Sequence, residues 1–263
     1  MDFLLECIGF PPDYPIDEIV ARVLAQGEPA AWRGDPGRHR RLPLGGGLEL
    51  RMDKDDGETR WNLLPHFQVE HRLRVAVDEI RSLPDSPFDA LLLGWAAPPV
   101  EMHAAHASPG AYRLCTYITD ARRLPRKLAP GRVLAVCIAG FALDVSYVGP
   151  DDGASDPLIL DEECGASIRP LGSPQDPGGC ADVSLRIRNI MHLVNPITGV
   201  PVEALEVDAP GRPLQLFASR WQLAKDGFES PRTGYRIEGT FMFSGRIAGG
   251  LPGPRSGARE RFG

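Results

Sequence analysis

The feature that most restricts the fold of this chain is an alternation of apolar and polar residues close to its carboxyl end. Successive side chains of a β-strand point to opposite faces, so this spacing predicts a strand over residues 235–247 with one buried and one solvated face. A helix would instead need apolar residues three and four positions apart. The inward set is Tyr235, Ile237, Gly239, Phe241 and Phe243, and the outward set is Arg236, Glu238, Thr240, Met242 and Ser244.

Further strand signals follow Arg132 and are separated by turn residues such as Asn195-Pro196. Half-buried strands of this kind bury their apolar faces against one another. The sequence therefore predicts an antiparallel β-barrel or sandwich in this half of the chain, and an OB-like barrel fits the pattern. The other predicted strands cover residues 133–139, 141–148, 183–187, 202–207 and 214–221.

The clearest helix is predicted near the amino terminus, where apolar residues recur with helical spacing. Asp17 and Glu18 complement the positive end of the helix dipole, and Gly27 suits the position after the last turn. Residues 3–8, which precede this helix, are apolar except for Glu6 and are predicted as a buried strand. The apolar stripe of the helix is Ile16, Ile19, Val20, Val23 and Leu24.

Strand signals also occur in the rest of the first half. Residues 48–53 and 59–64 flank an Asp-Gly pair, whose glycine supplies the positive φ that a tight turn needs, so a β-hairpin is predicted. Residues 69–77 alternate in the manner of a half-buried strand, although a helix competes because three of their apolar residues are four apart. Residues 88–95 and 112–119 are also predicted as strands.

Together these patterns predict an α+β protein in three parts. Residues 1–129 are expected to form an N-terminal mixed α/β region with few helices. Residues 130–248 are expected to form the C-terminal antiparallel barrel or sandwich. Residues 249–263, which are rich in glycine, proline and charge, are expected to be a flexible tail.

Charge and cysteine content restrict the partners and the compartment. Against 29 lysines and arginines stand 35 aspartates and glutamates, giving a net charge of -6, so no overall basic surface is available for nucleic acid or anionic lipid. No apolar run is long enough to span a membrane, and no basic segment precedes the apolar run at the start of the sequence. Five widely spaced cysteines indicate reduced thiols. We therefore expect a cytoplasmic protein without membrane contact.

Common nucleotide-binding and hydrolase motifs do not occur in the sequence. A phosphate-binding P-loop needs Ser or Thr after Gly-Lys, but Lys54, Lys127 and Lys225 are followed by Asp, Leu and Asp. Neither GxSxG nor GxGxxG is present. No motif identifies a family, so function has to be argued by elimination.

One hypothesis is a metal-dependent enzyme built on clustered histidines. His103 and His106 are three residues apart in a predicted short helix, a spacing that lets two imidazoles share a metal ion. His66 or Glu101 would supply a third ligand for zinc or iron, and Glu70 or Glu101 would act as the base. The competing interpretation is two solvated imidazoles at a helix end, and the main expectation is a protein without a cofactor.

The leading hypothesis is a non-catalytic accessory protein that binds a peptide or protein partner through its β-rich part, with a homodimer as one arrangement. A partner strand would add to an uncapped strand edge, for which residues 235–247 are the candidate. Arginine and aromatic side chains would set specificity. Weak binding of single-stranded nucleic acid is a third hypothesis, and nucleic acid is not the expected partner. The candidate contact residues are Arg186, Arg188, Arg220, Trp221, Arg236 and Met242.

Overall fold

A computed structural model describes most of the 263-residue chain. The described residues form thirteen strands, two α-helices and two short 3-10 helices, so the protein is mostly β. The predicted α+β class is wrong, because the region before residue 130 also consists chiefly of paired strands. No helix among the described residues is long and apolar enough to cross a lipid bilayer. The residues that the structure describes are 2–30, 38–54, 59–84, 86–99, 110–125, 128–149, 166–172, 177–225 and 230–251.

The helices are α1 (Ile16–Gln26) and α2 (Arg220–Lys225), with 3-10 helices at Asp2–Ile8 and Ala121–Arg123. The first strands are β1 (Glu28–Pro29), β2 (His39–Gly45), β3 (Leu48–Asp53), β4 (Asn62–Phe67), β5 (Leu73–Leu83), β6 (Ser86–Ala96) and β7 (Tyr112–Ile118). The later strands are β8 (Val133–Val148), β9 (Ser167–Gly172), β10 (Pro177–Val194), β11 (Pro201–Asp208), β12 (Leu214–Ser219) and β13 (Arg236–Gly249).

The amino-terminal segment confirms one prediction and contradicts another. Helix α1 has the predicted apolar stripe, with Ile19 and Val23 buried and Asp17 and Glu18 in the first turn. The strand predicted over residues 3–8 is wrong, because this segment is a 3-10 helix. A continuous apolar run has no period, so it cannot by itself separate a buried strand from a buried helix.

A small antiparallel sheet has the strand order β1-β2-β3-β4. Strands β3 and β4 pair from Leu48 opposite Phe67 to Asp53 opposite Asn62, which confirms the predicted hairpin, with a second strand that begins three residues later than predicted. The turn residues 55–58 lie outside the described part of the chain. Every residue of β3 is buried, so both faces of this strand are covered.

The large sheet has nine strands in the order β11-β12-β8-β5-β6-β7-β13-β10-β9. It is mixed, because β12 runs parallel to β8 and β7 runs parallel to β13. The predicted C-terminal antiparallel barrel or sandwich, including its OB-like form, is therefore wrong. Alternation identifies strands but not their partners, and here β8 pairs with β5 from the first half of the chain. The division into 1–129 and 130–248 stays a prediction, although both parts supply strands to this sheet.

The pairing pattern of β5 to β8 recurs in β10 to β13. In each set the first three strands form an antiparallel meander, and the fourth strand pairs antiparallel with the first. The third strand of each set also runs parallel to the fourth strand of the other set. The two fourth strands, β8 and β13, pair with each other along most of their length. This pair consequently connects the two halves of the sheet.

Strand β12 ends sooner than predicted, because a capped helix begins at Arg220. The backbone N–H of Ser219 donates to the side-chain oxygen of Gln222, and the backbone N–H of Gln222 donates to the Ser219 hydroxyl. This is a capping box, a pattern of Ser or Thr followed three residues later by Glu or Gln. Arg220 and Trp221 consequently lie on α2, not at the end of a strand.

Candidate ligand-binding cavity

A cavity of about 550 Å³ lies where the small sheet meets the large sheet. Its size falls within the range of roughly 300–1,000 Å³ that is typical of small-molecule sites. The small sheet contributes residues of β3 and β4, and the large sheet contributes residues of β5, β6, β7, β8, β10 and β13. Much of the wall is apolar, and these residues are Leu4, Leu64, Pro65, Leu83, Pro84, Leu143 and Met242.

One end of the cavity carries three charged side chains. Arg51 Nε lies 2.7 Å from Asp53 Oδ2, and Arg51 Nη2 lies 3.2 Å from Asp89 Oδ2. The three side chains are only 3%, 5% and 10% exposed, respectively. Burial opposes the charge of Arg51, but Asp53 and Asp89 raise its pKa above the ordinary value for arginine. The guanidinium thus stays charged and holds two carboxylates in the cavity wall.

Neighbouring side chains fix both carboxylates further. His39 Nδ1 lies 2.9 Å from Asp53 Oδ1, and the imidazole packs edge-on against Phe88 with ring centroids 4.4 Å apart. The Ser86 hydroxyl donates to Asp89 Oδ2 at 2.9 Å and accepts the backbone N–H of Asp89 at 3.2 Å. The charged end of the cavity is therefore preorganised before any ligand arrives.

A second polar cluster lies behind the cavity wall. His66 is fully buried, its Nδ1 lies 3.1 Å from Glu49 Oε2, and its Nε2 lies 3.2 Å from the hydroxyl of Thr119, which lines the cavity. Arg41 also donates to Glu49, at 2.7 Å. Burial alone would raise the pKa of Glu49, but the hydrogen bond to His66 and the charge of Arg41 lower it. Glu49 is therefore a carboxylate and requires a hydrogen on Nδ1 of His66.

The stability of the folded protein is expected to decrease as the pH falls, because of His66. Burial, together with the nearby guanidinium of Arg51, lowers the pKa of His66 to about 4 from the ordinary 6.5. The unfolded chain therefore takes up a proton that the folded protein resists, so the stabilisation present above pH 6.5 is lost as pH falls towards 4. Between pH 7 and pH 5 we expect the free energy of unfolding to drop by about 2 kcal/mol from this group. Urea unfolding at both pH values measures the drop.

Two histidine variants separate this effect from general acid sensitivity. His66→Gln is expected to reduce the loss between pH 7 and pH 5, whereas His71→Gln, which changes an exposed histidine, is expected to leave it unchanged. An equal pH dependence in the wild type and His66→Gln would contradict the assignment.

The residues predicted to contact a partner are distributed over β10, β13 and α2. Arg186 and Arg236 are opposite each other in the pairing of β10 and β13, while Arg188 pairs with Asp208. Met242 is buried in the cavity wall. Arg220 lies on α2 beside Trp221, with its Nε 3.5 Å from Glu203 Oε1. Strand β13 pairs with β8 on one side and with β10 and β7 on the other, so its backbone is already hydrogen-bonded.

The predicted metal ligands are only partly within the described residues. Glu101, His103 and His106 lie outside them, so their grouping stays a prediction. His66 is described, and both of its ring nitrogens have protein partners. Glu70, the other predicted base, is exposed. No group of three or more His, Cys, Asp or Glu side chains that would suit a metal ion occurs in the described part of the chain.

Sequence reasoning missed the charged end of the cavity, although β3 carries a signal for it. Glu49, Arg51 and Asp53 occupy every second position, so three charged side chains share one face of a strand whose other face is apolar. That pattern is also typical of a solvated strand face, which is why it does not predict burial. The contribution of Asp89 from β6 follows only from the packing of the two sheets.

Comparisons with models of protein families, with curated proteins and with solved structures found no match to this chain. No relative therefore supplies a ligand or an activity by analogy. The residues and the geometry of the cavity have to support any functional proposal.

Proposed function

We propose that this protein is a small-molecule binding protein, and that its ligand occupies the cavity between the two sheets. The observation that carries the proposal is the cavity of about 550 Å³ with apolar walls and one charged end. Concave sites of this size, with mainly apolar walls and a few converging polar groups, are typical of small-molecule binding sites. The shape and lining of this cavity therefore support a ligand.

The charged end gives this cavity the character of a recognition site. Burying Arg51, Asp53 and Asp89 costs free energy of solvation, which their mutual attraction offsets only in part. A core that served stability alone would be filled by apolar side chains at this place. The arrangement favours a ligand with an apolar body and a polar group directed at the carboxylates.

The cavity has more support than the peptide-binding surface predicted from the sequence. A partner strand needs unpaired backbone groups, and β13 pairs with other strands on both sides. Met242, one of the predicted contact residues, contributes to the cavity instead. Peptide recognition through the β-rich part of the chain stays a hypothesis.

A fluorescent apolar dye tests the proposal. Nile red, which is uncharged and emits strongly only in apolar surroundings, is expected to bind the wild type. Cys180→Phe places a bulky ring in the cavity and is expected to weaken binding by at least about tenfold, because the ring occupies the space for the dye. Cys137→Phe is the matched control, since Cys137 is also half-buried on a long strand but does not line the cavity. Titration of the dye measures both affinities.

A second cavity variant tests the proposal independently if Cys180→Phe does not fold. Leu64→Trp enlarges a half-buried cavity residue on the edge strand β4 and is also expected to block the dye. Circular dichroism and urea unfolding establish that each variant is folded. The proposal is overturned if the wild type does not bind Nile red, or if folded cavity variants bind it as tightly as Cys137→Phe does.

A further inference from the structure

A hydroxyl, an imidazole and a carboxylate form a hydrogen-bonded chain that ends in the cavity wall. Thr119 lines the cavity, and its Oγ1 lies 3.2 Å from His66 Nε2. On the other side of the ring, His66 Nδ1 lies 3.1 Å from Glu49 Oε2. All three side chains are buried. Their order is that of nucleophile, base and orienting acid in a catalytic triad, which is recognised by geometry and not by position in the sequence.

The hydrogen positions along this chain follow from the charge of Glu49. The carboxylate accepts the hydrogen on Nδ1 of His66, so Nε2 of the neutral imidazole carries a lone pair. The contact between Nε2 and Thr119 therefore uses the hydroxyl hydrogen of Thr119, which also lies within reach of the Gly245 carbonyl oxygen, 3.3 Å from Oγ1. The backbone N–H of Thr119 donates to the same carbonyl at 3.0 Å and holds the residue in place. His66 is thus placed to take the proton of this hydroxyl.

We propose that the cavity is the active site of an esterase, with Thr119 as its nucleophile, His66 as its base and Glu49 as a positioning residue. This inference rests on the proposed function, because the substrate occupies the same cavity. The substrate class is a carboxylic ester with an apolar acyl group, which the apolar walls of the cavity favour.

The reaction needs no reactant other than the ester and water. Oγ1 of Thr119 forms a bond to the carbonyl carbon of the ester, and its proton passes to Nε2 of His66. The bond from this carbon to the leaving oxygen breaks, and the leaving oxygen takes the proton from Nε2, which releases an alcohol and leaves the acyl group on Thr119. Water then attacks the acyl group and gives a proton to Nε2. That proton passes to Oγ1 as the carboxylic acid leaves.

Cleavage of p-nitrophenyl hexanoate tests this activity. The wild type is expected to release p-nitrophenol and, after an acid quench during the first turnovers, to carry a hexanoyl group on Thr119, which peptide mapping by mass spectrometry locates. Thr119→Val removes the hydroxyl while keeping a similar shape and is expected to slow the release by at least about a hundredfold. Thr119→Ser keeps a hydroxyl and is expected to be acylated at the same position.

The base is tested with a matched threonine control. His66→Gln is expected to slow the release by at least about a hundredfold, because no imidazole takes the hydroxyl proton. Thr116→Val is the control, since Thr116 is a fully buried threonine on β7 that does not line the cavity. It is expected to leave the rate unchanged. The affinity of each variant for Nile red shows whether its cavity is intact.

Glu49→Gln tests the positioning residue. Arg41 donates to Oε1 of Glu49, so the amide oxygen is expected to stay with Arg41 and the amide NH₂ to face Nδ1 of His66. Nδ1 must then accept, which places the ring hydrogen on Nε2 and prevents its action as a base. We expect release to slow by at least about tenfold with the affinity for Nile red unchanged. A merely structural role of Glu49 would not separate the two measurements in this way.

The outcomes separate this inference from the proposed function. Binding of Nile red that is sensitive to Cys180→Phe, together with release by Thr119→Val as fast as by the wild type, overturns the esterase and leaves the cavity assignment in place. A hexanoyl group found on Cys180 or a lysine, or found nowhere, also overturns it, and so does a wild type that releases p-nitrophenol no faster than buffer. The label is located on the wild type, so the test stands even if Thr119→Val does not fold.

Discussion

Replacing Arg51 with methionine is expected to lower the free energy of unfolding by about 3–5 kcal/mol, because it leaves two buried carboxylates without their shared counter-charge. Methionine keeps an unbranched chain of similar reach, so little packing is lost with the charge. Asp53 and Asp89 would each have to protonate or take water into the cavity wall. Equilibrium unfolding in urea at pH 7 measures the loss.

An exposed ion pair supplies the comparison for Arg51. Arg113 pairs with Asp78, and both side chains are 43% exposed. Arg113→Met is therefore expected to cost less than about 1 kcal/mol. Adding Asp53→Asn and Asp89→Asn to Arg51→Met is expected to restore part of the stability, since two buried negative charges are removed. If Arg51→Met and Arg113→Met cost the same, the buried pair has no special importance for stability.

Phe141→Ala is expected to destabilise the protein by a similar amount, about 3–5 kcal/mol, because it leaves a cavity in the hydrophobic core. Phe141 on β8 is fully buried. Its ring stacks on that of Phe217 of β12, with ring centroids 5.5 Å apart, and packs against that of Phe67 of the small sheet, with ring centroids 6.4 Å apart. The side chain thus packs between the small sheet and the large one, and its removal weakens the contact with each ring.

Two further variants establish whether this loss comes from packing. Phe141→Leu keeps most of the buried apolar area and is expected to cost less than the alanine variant. Val194→Ala removes a side chain that is 58% exposed and is expected to change stability within about 0.5 kcal/mol. Chemical unfolding of the three variants checks the expected order. A loss below about 1 kcal/mol for Phe141→Ala would contradict the prediction. It would mean that the core relaxes around the missing ring.

Local elements were predictable wherever the apolar period was regular. The stripe from Ile16 to Leu24 gives α1, and the alternation over residues 235–247 gives β13 within two residues at either end. The capping box at Ser219 and Gln222 was also readable and would have ended β12 correctly. Residues 3–8 were not predictable from period, because a continuous apolar run fits either type of element.

The candidate site was much less predictable than the elements. Arg51 and Asp53 alternate with apolar residues as the polar face of a solvated strand does. Their burial depends on contacts with residues distant in sequence, such as that of Arg51 with Asp89 of β6. Asp89 has no feature in its local sequence that distinguishes it from other aspartates in strands. Long-range packing alone brings these three charges together.

By itself the sequence indicated many of the strands of this chain, because the alternation of side chains is a property of each segment and needs no partner. Tertiary structure decided which strands pair, that β8 and β13 join the two halves of one mixed sheet, and that the charged face of β3 is covered. The physical reason is that every strand offers the same kinds of backbone donors and acceptors, so backbone hydrogen bonding alone does not select a partner strand. Partner choice and burial therefore depend on how the whole set of apolar faces packs together.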